Sequence, residues 1–171
     1  MEVFGIAGWS GMGKTTLLAR LVPALVARGR RVAMIKHSHK DIEVDRPGKD
    51  SWRLREAGCE EVLLVGRTRW ALMRELRGAP EPALPELLAR LHDADLVLVE
   101  GFKQGEFPKL EVWRAAPGKP PLWGSWPGIR AVASDDPVPL SGLPAAPPPT
   151  LLALADTAAL ADFVLAHAAR C

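Results

Sequence analysis

Four residues at fixed spacing near the N-terminus constrain this chain more than anything else in it. Gly8-Trp9-Ser10-Gly11-Met12-Gly13-Lys14-Thr15 spells the phosphate-binding loop G-x-x-x-x-G-K-[ST]. The apolar run Val3-Phe4-Gly5-Ile6-Ala7 precedes it and reads as a buried strand. Leu17, Leu18, Leu21, Val22 and Leu25 follow at helical spacing. The order is therefore strand, loop, helix. Glycines let the backbone curl so that several N–H groups face one anion, and the helix that follows adds its positive N-terminal end. The expected ligand is a polyphosphate, held by Ser10, Gly11, Met12, Gly13, Lys14, Thr15 and Thr16. In that geometry Lys14 reaches the β- and γ-phosphates and the Thr15 hydroxyl holds Mg²⁺.

The rest of the chain supplies a matching frame. Gly29 ends the first helix, and Arg31–Lys36 reads as a second strand. Pro23, inside that helix, is expected to bend it or to leave a carbonyl to water. Asp50–Ala57 reads as a short helix stopped by Gly58, and Val62–Val65 as a strand. Pro85–Leu91 reads as a helix, and Leu96–Val99 as a strand buried on both faces. Further strands are expected at Leu110–Trp113 and Ile129–Ala133, with a final helix over Ala158–Ala169 capped by Asp156 or Thr157. Strands that alternate with helices predict an α/β fold: a three-layer P-loop NTPase fold with a mainly parallel sheet and helices on both faces. At 171 residues, 48% of them hydrophobic, the chain is expected to form one nucleotide-binding domain over 1–171. Ten of its 16 prolines fall between Ala115 and Thr150, so 115–150 is expected to be irregular within that domain.

Composition removes several classes of function. Lys plus Arg number 22 against 20 Asp plus Glu, too even a balance to advertise nucleic acid or an anionic membrane as partner. No apolar run approaches the ~20 residues that span a bilayer, and the N-terminus runs straight into a strand with no basic leader. The expectation is a cytoplasmic protein. Two cysteines, Cys59 and Cys171, make neither a disulfide framework nor a metal-ligand pattern.

Ligands of a parallel sheet sit at the carboxyl ends of its strands, and the remaining candidates lie at such ends. Glu100 follows Leu96–Val99 as a Walker B carboxylate would, beside the Mg²⁺ held by Thr15. Spacing leaves open whether it meets the metal directly, meets it through water, or orients the attacking water. The second strand runs into Lys36-His37-Ser38-His39, then a polar loop carrying Asp41, Glu43 and Asp45. Imidazole and carboxylate suit a transition metal, but the preferred reading is a switch loop that meets the γ-phosphate, with Asp41 or Asp45 near Mg²⁺. The chain contains no asparagine, so it cannot form the usual Asn-Lys-x-Asp guanine loop. Asp135, after Ala131-Val132-Ala133-Ser134, either accepts from guanine N1 and N2 or simply makes a turn.

Taken together, several motifs resemble the molybdopterin-guanine dinucleotide biosynthesis protein B family (MobB). They are the phosphate loop, Ile35-Lys36-His37-x-His39, Asp45-x-Pro47-Gly48-Lys49-Asp50-Ser51, Arg69-Trp70-Ala71-Leu72-Met73, Leu96–Lys103 and Pro108-Lys109-Leu110-Glu111-Val112. The likeness runs in order over residues 2 to 136. It implies a homodimer that binds GTP with Mg²⁺, hydrolyses it slowly, and assists the guanylyltransferase that attaches GMP to molybdopterin. Lys14, Glu100 and Asp45 would then carry the catalytic roles. Two other classes stay open: a small-molecule kinase, with Arg67, Arg69, Arg74 and Arg77 as a lid, and a nucleotide-dependent adapter without useful turnover. Trp9 stands where partition-type ATPases carry a second lysine, which disfavours that class.

Overall fold

The continuous apolar runs of β1 (Glu2–Ala7) and β5 (Leu96–Glu100) form adjacent parallel strands in the computed structural model, almost wholly buried as such runs require. Residues 1–38, 42, 44–139 and 147–170 are described. The other elements are α1 (Lys14–Val26), β2 (Val32–Lys36), α2 (Asp50–Glu56), β3 (Glu61–Val65), β4 (Trp70–Arg74), α3 (Leu84–Leu88), β6 (Lys109–Val112), β7 (Ile129–Ala133), β8 (Thr150–Leu152), α4 (Thr157–His167) and β9 (Ala169–Arg170). They gather into two units, Met1–His37 with Leu87–Cys171, and Ser38–Glu86.

In the first unit the sheet runs β2-β5-β1-β6-β7-β8, every neighbouring pair parallel, and β9 adds an antiparallel pairing to the start of β1. This is the mainly parallel α/β architecture that the alternating pattern predicted. Phe4 and Ile6 point to one face of β1, where α1 and α4 pack together. Phe4 meets Phe163 edge to face with ring centroids 6.3 Å apart. Leu17, Leu21 and Leu25 of α1 are buried on that side, each stabilising the fold by roughly 1.5–3 kcal/mol. The opposite face of β1 and β6 carries Gly5, Lys109 and Glu111. A Cβ on Gly5 would stand 2.6 Å from Lys109 Cγ and from Phe107 Cε2, so that face is closed by side chains reaching over a bare backbone.

Glu111 is fully buried, and its two carboxylate oxygens accept from the backbone N–H groups of Leu122 (2.6 Å) and Trp123 (2.9 Å). Burial pushes its pKa up, and the two N–H groups pull it down. Lys109, two residues earlier on the same face, donates to the carbonyls of Gly105 and of Pro127. Segment 115–128 has little regular structure, yet it is fastened from below by this pair and by Trp113, whose indole donates to Lys119 O.

In the second unit β3 pairs antiparallel with β4, from Glu61↔Arg74 to Val65↔Trp70, as a separate two-stranded sheet. This corrects the expectation that Val62–Val65 continues the parallel array, and β4 was not expected as a strand. The turn at 66–69 brings the hairpin back, with Gly66 N–H donating to Arg69 O. On one face Leu63, Val65, Trp70 and Leu72 are all exposed. Smaller differences concern ends. The helix expected over Pro85–Leu91 is Leu84–Leu88, and the last helix is Thr157–His167, capped by Asp156, which accepts from Ala159 N–H. Helix α1 runs through Pro23 to Val26, and Gly29 follows at φ 81° as its terminator.

Candidate functional site

Parallel strands deliver their carboxyl ends to one edge, and in the first unit β1, β2 and β5 end side by side there. Ile6 and Lys36 both stand in register with Glu100. The loop after β1 turns through Gly8 (φ 139°), Gly11 (φ 84°) and Gly13 (φ 93°), conformations that L side chains rarely adopt. Gly8 is constrained twice, because a Cβ there would stand 2.5 Å from Val112 O. Met12 points into the core and anchors the loop, while Ser10, Gly11, Thr15 and Thr16 are exposed on it and on the first turn of α1.

Lys14 folds back over the loop. Its Nζ donates to Gly8 O (2.8 Å) and Trp9 O (3.0 Å) and lies 3.7 Å from Glu100 Oε1. The other Glu100 oxygen, Oε2, is buried and has no hydrogen-bond partner, and Lys36 Nζ lies 3.9 Å from it. A buried carboxylate oxygen without a donor is costly unless something of positive charge completes it. A hard cation with oxygen ligands fits that position, since Mg²⁺ keeps several waters and needs only one or two protein oxygens beside those of phosphate. Glu100 and Thr15 would hold it.

The loop is also braced from behind. Arg114, after β6, donates from Nε to Met12 O (3.2 Å), and the indole of Trp9 donates to Pro120 O (2.8 Å) beneath Lys119. Sequence reasoning missed Arg114, Lys109 and Glu111 as parts of the site's frame. Their partners are backbone atoms, which leave no trace in a motif.

Asp135 lies two residues past the end of β7 and is exposed. Its Oδ1 accepts from Ala155 N–H (3.1 Å), and next to it Asp136 Oδ2 accepts from Ala115 N–H. The local turn bond belongs to Ser134, whose Oγ accepts from Asp136 N–H, while Asp135 ties the segment after β7 to the chain entering α4. Asp45 belongs to the second unit. Arg55 donates to both of its oxygens, at 2.7 and 3.1 Å, and this holds its carboxyl below the usual carboxylate range. Arg55 also pairs with Glu75, and these groups with Ile42, Val44 and residues 71–75 line a cavity of about 180 Å³. Of the arginines considered as a lid, Arg67 and Arg69 sit in the hairpin turn, Arg74 pairs with Glu61, and Arg77 donates to the carbonyls of Arg55 and Cys59. His37 packs against Phe102 with ring centroids 5.0 Å apart. His39, Asp41 and Glu43 lie outside the described residues. Among the described residues no group of three His, Cys, Asp or Glu could hold a metal, and no helix is long and apolar enough to cross a membrane.

Residues 3–135 match the family model described as MobB, molybdopterin guanine dinucleotide synthesis protein B. The chain is 43% identical over 168 residues to the molybdopterin-guanine dinucleotide biosynthesis adapter protein of Escherichia coli, covering 96% of this chain and 92% of that one. It is 50% identical over 123 residues to the protein of the same name from Haemophilus influenzae, covering 70% and 67%. Among solved structures, a crystal structure of molybdopterin-guanine biosynthesis protein B superposes with a TM-score of 0.71 at 26% identity, covering 96% of this chain and 98% of that one.

Proposed function

Since the chain belongs to the molybdopterin guanine dinucleotide synthesis protein B family, we propose that it is a cytoplasmic adapter of molybdopterin guanine dinucleotide biosynthesis. In this reading it binds GTP with Mg²⁺, hydrolyses it slowly, and works beside the guanylyltransferase that attaches GMP to molybdopterin. The observation that carries the nucleotide reading is Lys14 of the phosphate loop lying 3.7 Å from one oxygen of Glu100 while the other oxygen is buried with no hydrogen bond.

The loop amides and the N-terminal end of α1 take the phosphates. Lys14 leaves the carbonyls of Gly8 and Trp9 for the β- and γ-phosphates, exchanging two neutral acceptors for anionic ones. Thr15 and Glu100 would hold Mg²⁺, which would supply positive charge to offset that of the phosphates. Asp135 reads guanine N1 and N2 from the loop that follows β7. Asp45, fully engaged by Arg55, keeps the second unit in order and is not assigned to the metal.

The exposed apolar face of the hairpin, Leu63, Val65, Trp70 and Leu72, supports a homodimer, because a two-stranded sheet gains little stability while its apolar side stays in water. Titration with GTP, GDP and ATP in the presence of Mg²⁺ tests the nucleotide reading. GTP should bind with preference over ATP, and Lys14→Ala should lose at least about tenfold in affinity while remaining folded. A Lys14→Ala protein that binds GTP like wild type overturns the site. Capture of the purified guanylyltransferase, with and without GTP, tests the adapter role. Failure to retain it in either state removes that role.

A further inference from the structure

Glu100 stands between two ammonium groups. Lys14 Nζ lies 3.7 Å from one of its oxygens and Lys36 Nζ 3.9 Å from the other, with the β2–β5 register placing Lys36 directly opposite Glu100. The two lysines are held differently. Lys14 is mostly buried and makes two hydrogen bonds to the loop. Lys36 has a side chain that is 57% exposed, and its distance to Glu100 is too long for a hydrogen bond. An ion pair of that kind contributes little to stability, so Lys36 is not needed to hold the sheet together. It nevertheless sits on the last residue of β2, at the strand edge where β1 opens into the phosphate loop.

Charge balance gives it a use. Two lysines and one carboxylate leave this edge with a net positive charge, and that charge is arranged around the place where a phosphate chain would end. Once Glu100 is engaged with the metal and Lys14 with phosphate, Lys36 is the remaining cation of this cluster. A lysine is a flexible point charge on a four-carbon stem, suited to follow an oxygen whose position depends on the ligand. We propose that Lys36 contacts the terminal phosphate of the bound nucleotide and makes the site prefer a nucleoside triphosphate over a diphosphate. This rests on the nucleotide reading above, and it adds a specificity-determining residue on a different strand from the phosphate loop.

The test is the affinity of Lys36→Ala and Lys36→Arg for GDP and for a non-hydrolysable GTP analogue, at fixed Mg²⁺, with Lys14→Ala measured alongside. Melting temperature checks the fold of each variant, and Lys36→Arg keeps the charge should Lys36→Ala prove unstable. Lys36→Ala should weaken the analogue about tenfold or more while GDP changes less than about threefold, and Lys36→Arg should stay within a few-fold of wild type for both. Equal losses for the two nucleotides, or no loss, overturn the proposal. If Lys14→Ala loses both nucleotides in that case, the nucleotide site stands and only the role of Lys36 has failed. If Lys14→Ala loses neither, the nucleotide site itself has failed, and the role of Lys36 with it.

Discussion

Replacing Lys109 by methionine should change the pH dependence of stability in a direction fixed by its surroundings. The side chain is only 1% exposed, its Nζ donates to the carbonyls of Gly105 and Pro127, and it lies 4.4 Å from the centroid of the Phe107 ring. Burial lowers its pKa from 10.5 to about 8, against an opposing pull from Glu106. Between those two values the unfolded chain holds a proton that the native protein has released, so stability rises with pH across that window and is insensitive to this group below about 8. At about 1.4 kcal/mol per pKa unit, the interval sets a ceiling of about 3 kcal/mol for the gain, and relaxation around the amine will reduce it. Methionine keeps the apolar stem, removes the titration, and leaves two carbonyls without their donor, a constant cost of roughly 1–3 kcal/mol. Urea unfolding followed by tryptophan fluorescence, for both proteins at pH 7, 8, 9 and 10, gives the difference directly. Wild type should gain on Lys109→Met from pH 8 upward. A difference that stays flat, or that falls, would show that the amine is stabilised as a cation by its carbonyls, and the reasoning from burial would be wrong.

Three further outcomes follow from the site and the hairpin. Glu100→Gln should slow single-turnover GTP hydrolysis by roughly 10² or more while GTP affinity stays within about tenfold, and hydrolysis within a factor of two of wild type would remove Glu100 from the metal. Asp135→Ala should weaken GTP at least about tenfold more than ATP, since guanine alone presents the N1 and N2 donor pair, and equal effects would leave Asp135 with its bond to Ala155 as its whole role. On the proposal that the hairpin face is a dimer interface, wild type should sediment as a dimer and Trp70→Glu, on the exposed face of β4, as a monomer; a monomeric wild type or a dimeric variant would exclude that face.

What could be read from the chain alone was what is local. The phosphate loop, β1, α1 and the β5–Glu100 end are each contained in one short segment whose spacing encodes its chemistry. The hairpin was not legible, because Val62–Val65 is apolar throughout and so carries no sign of direction. Its partner Trp70–Arg74 is flanked by arginines that also suit a helix surface, and pairing is a property of two segments, not of either. Strands β8 and β9, of three and two residues, are too short to have a pattern and exist because the sheet edge and the start of β1 offer them partners. Lys109 and Glu111 stood in the sequence only as members of the Pro108–Val112 motif, with no role attached. Their burial depends on backbone groups of residues 105, 122, 123 and 127, whose positions no residue type announces.

The indole of Trp9 has a wider consequence. It occupies a variable position of the phosphate loop, yet its N–H is bonded to the carbonyl of Pro120, more than a hundred residues away in the chain, with Lys119 lying over its ring. Sequence distance is erased at that point. The phosphate loop and the proline-flanked segment at 119–121 share one hydrogen bond, so a change in the loop around Trp9 has to stretch that bond or carry the segment with it.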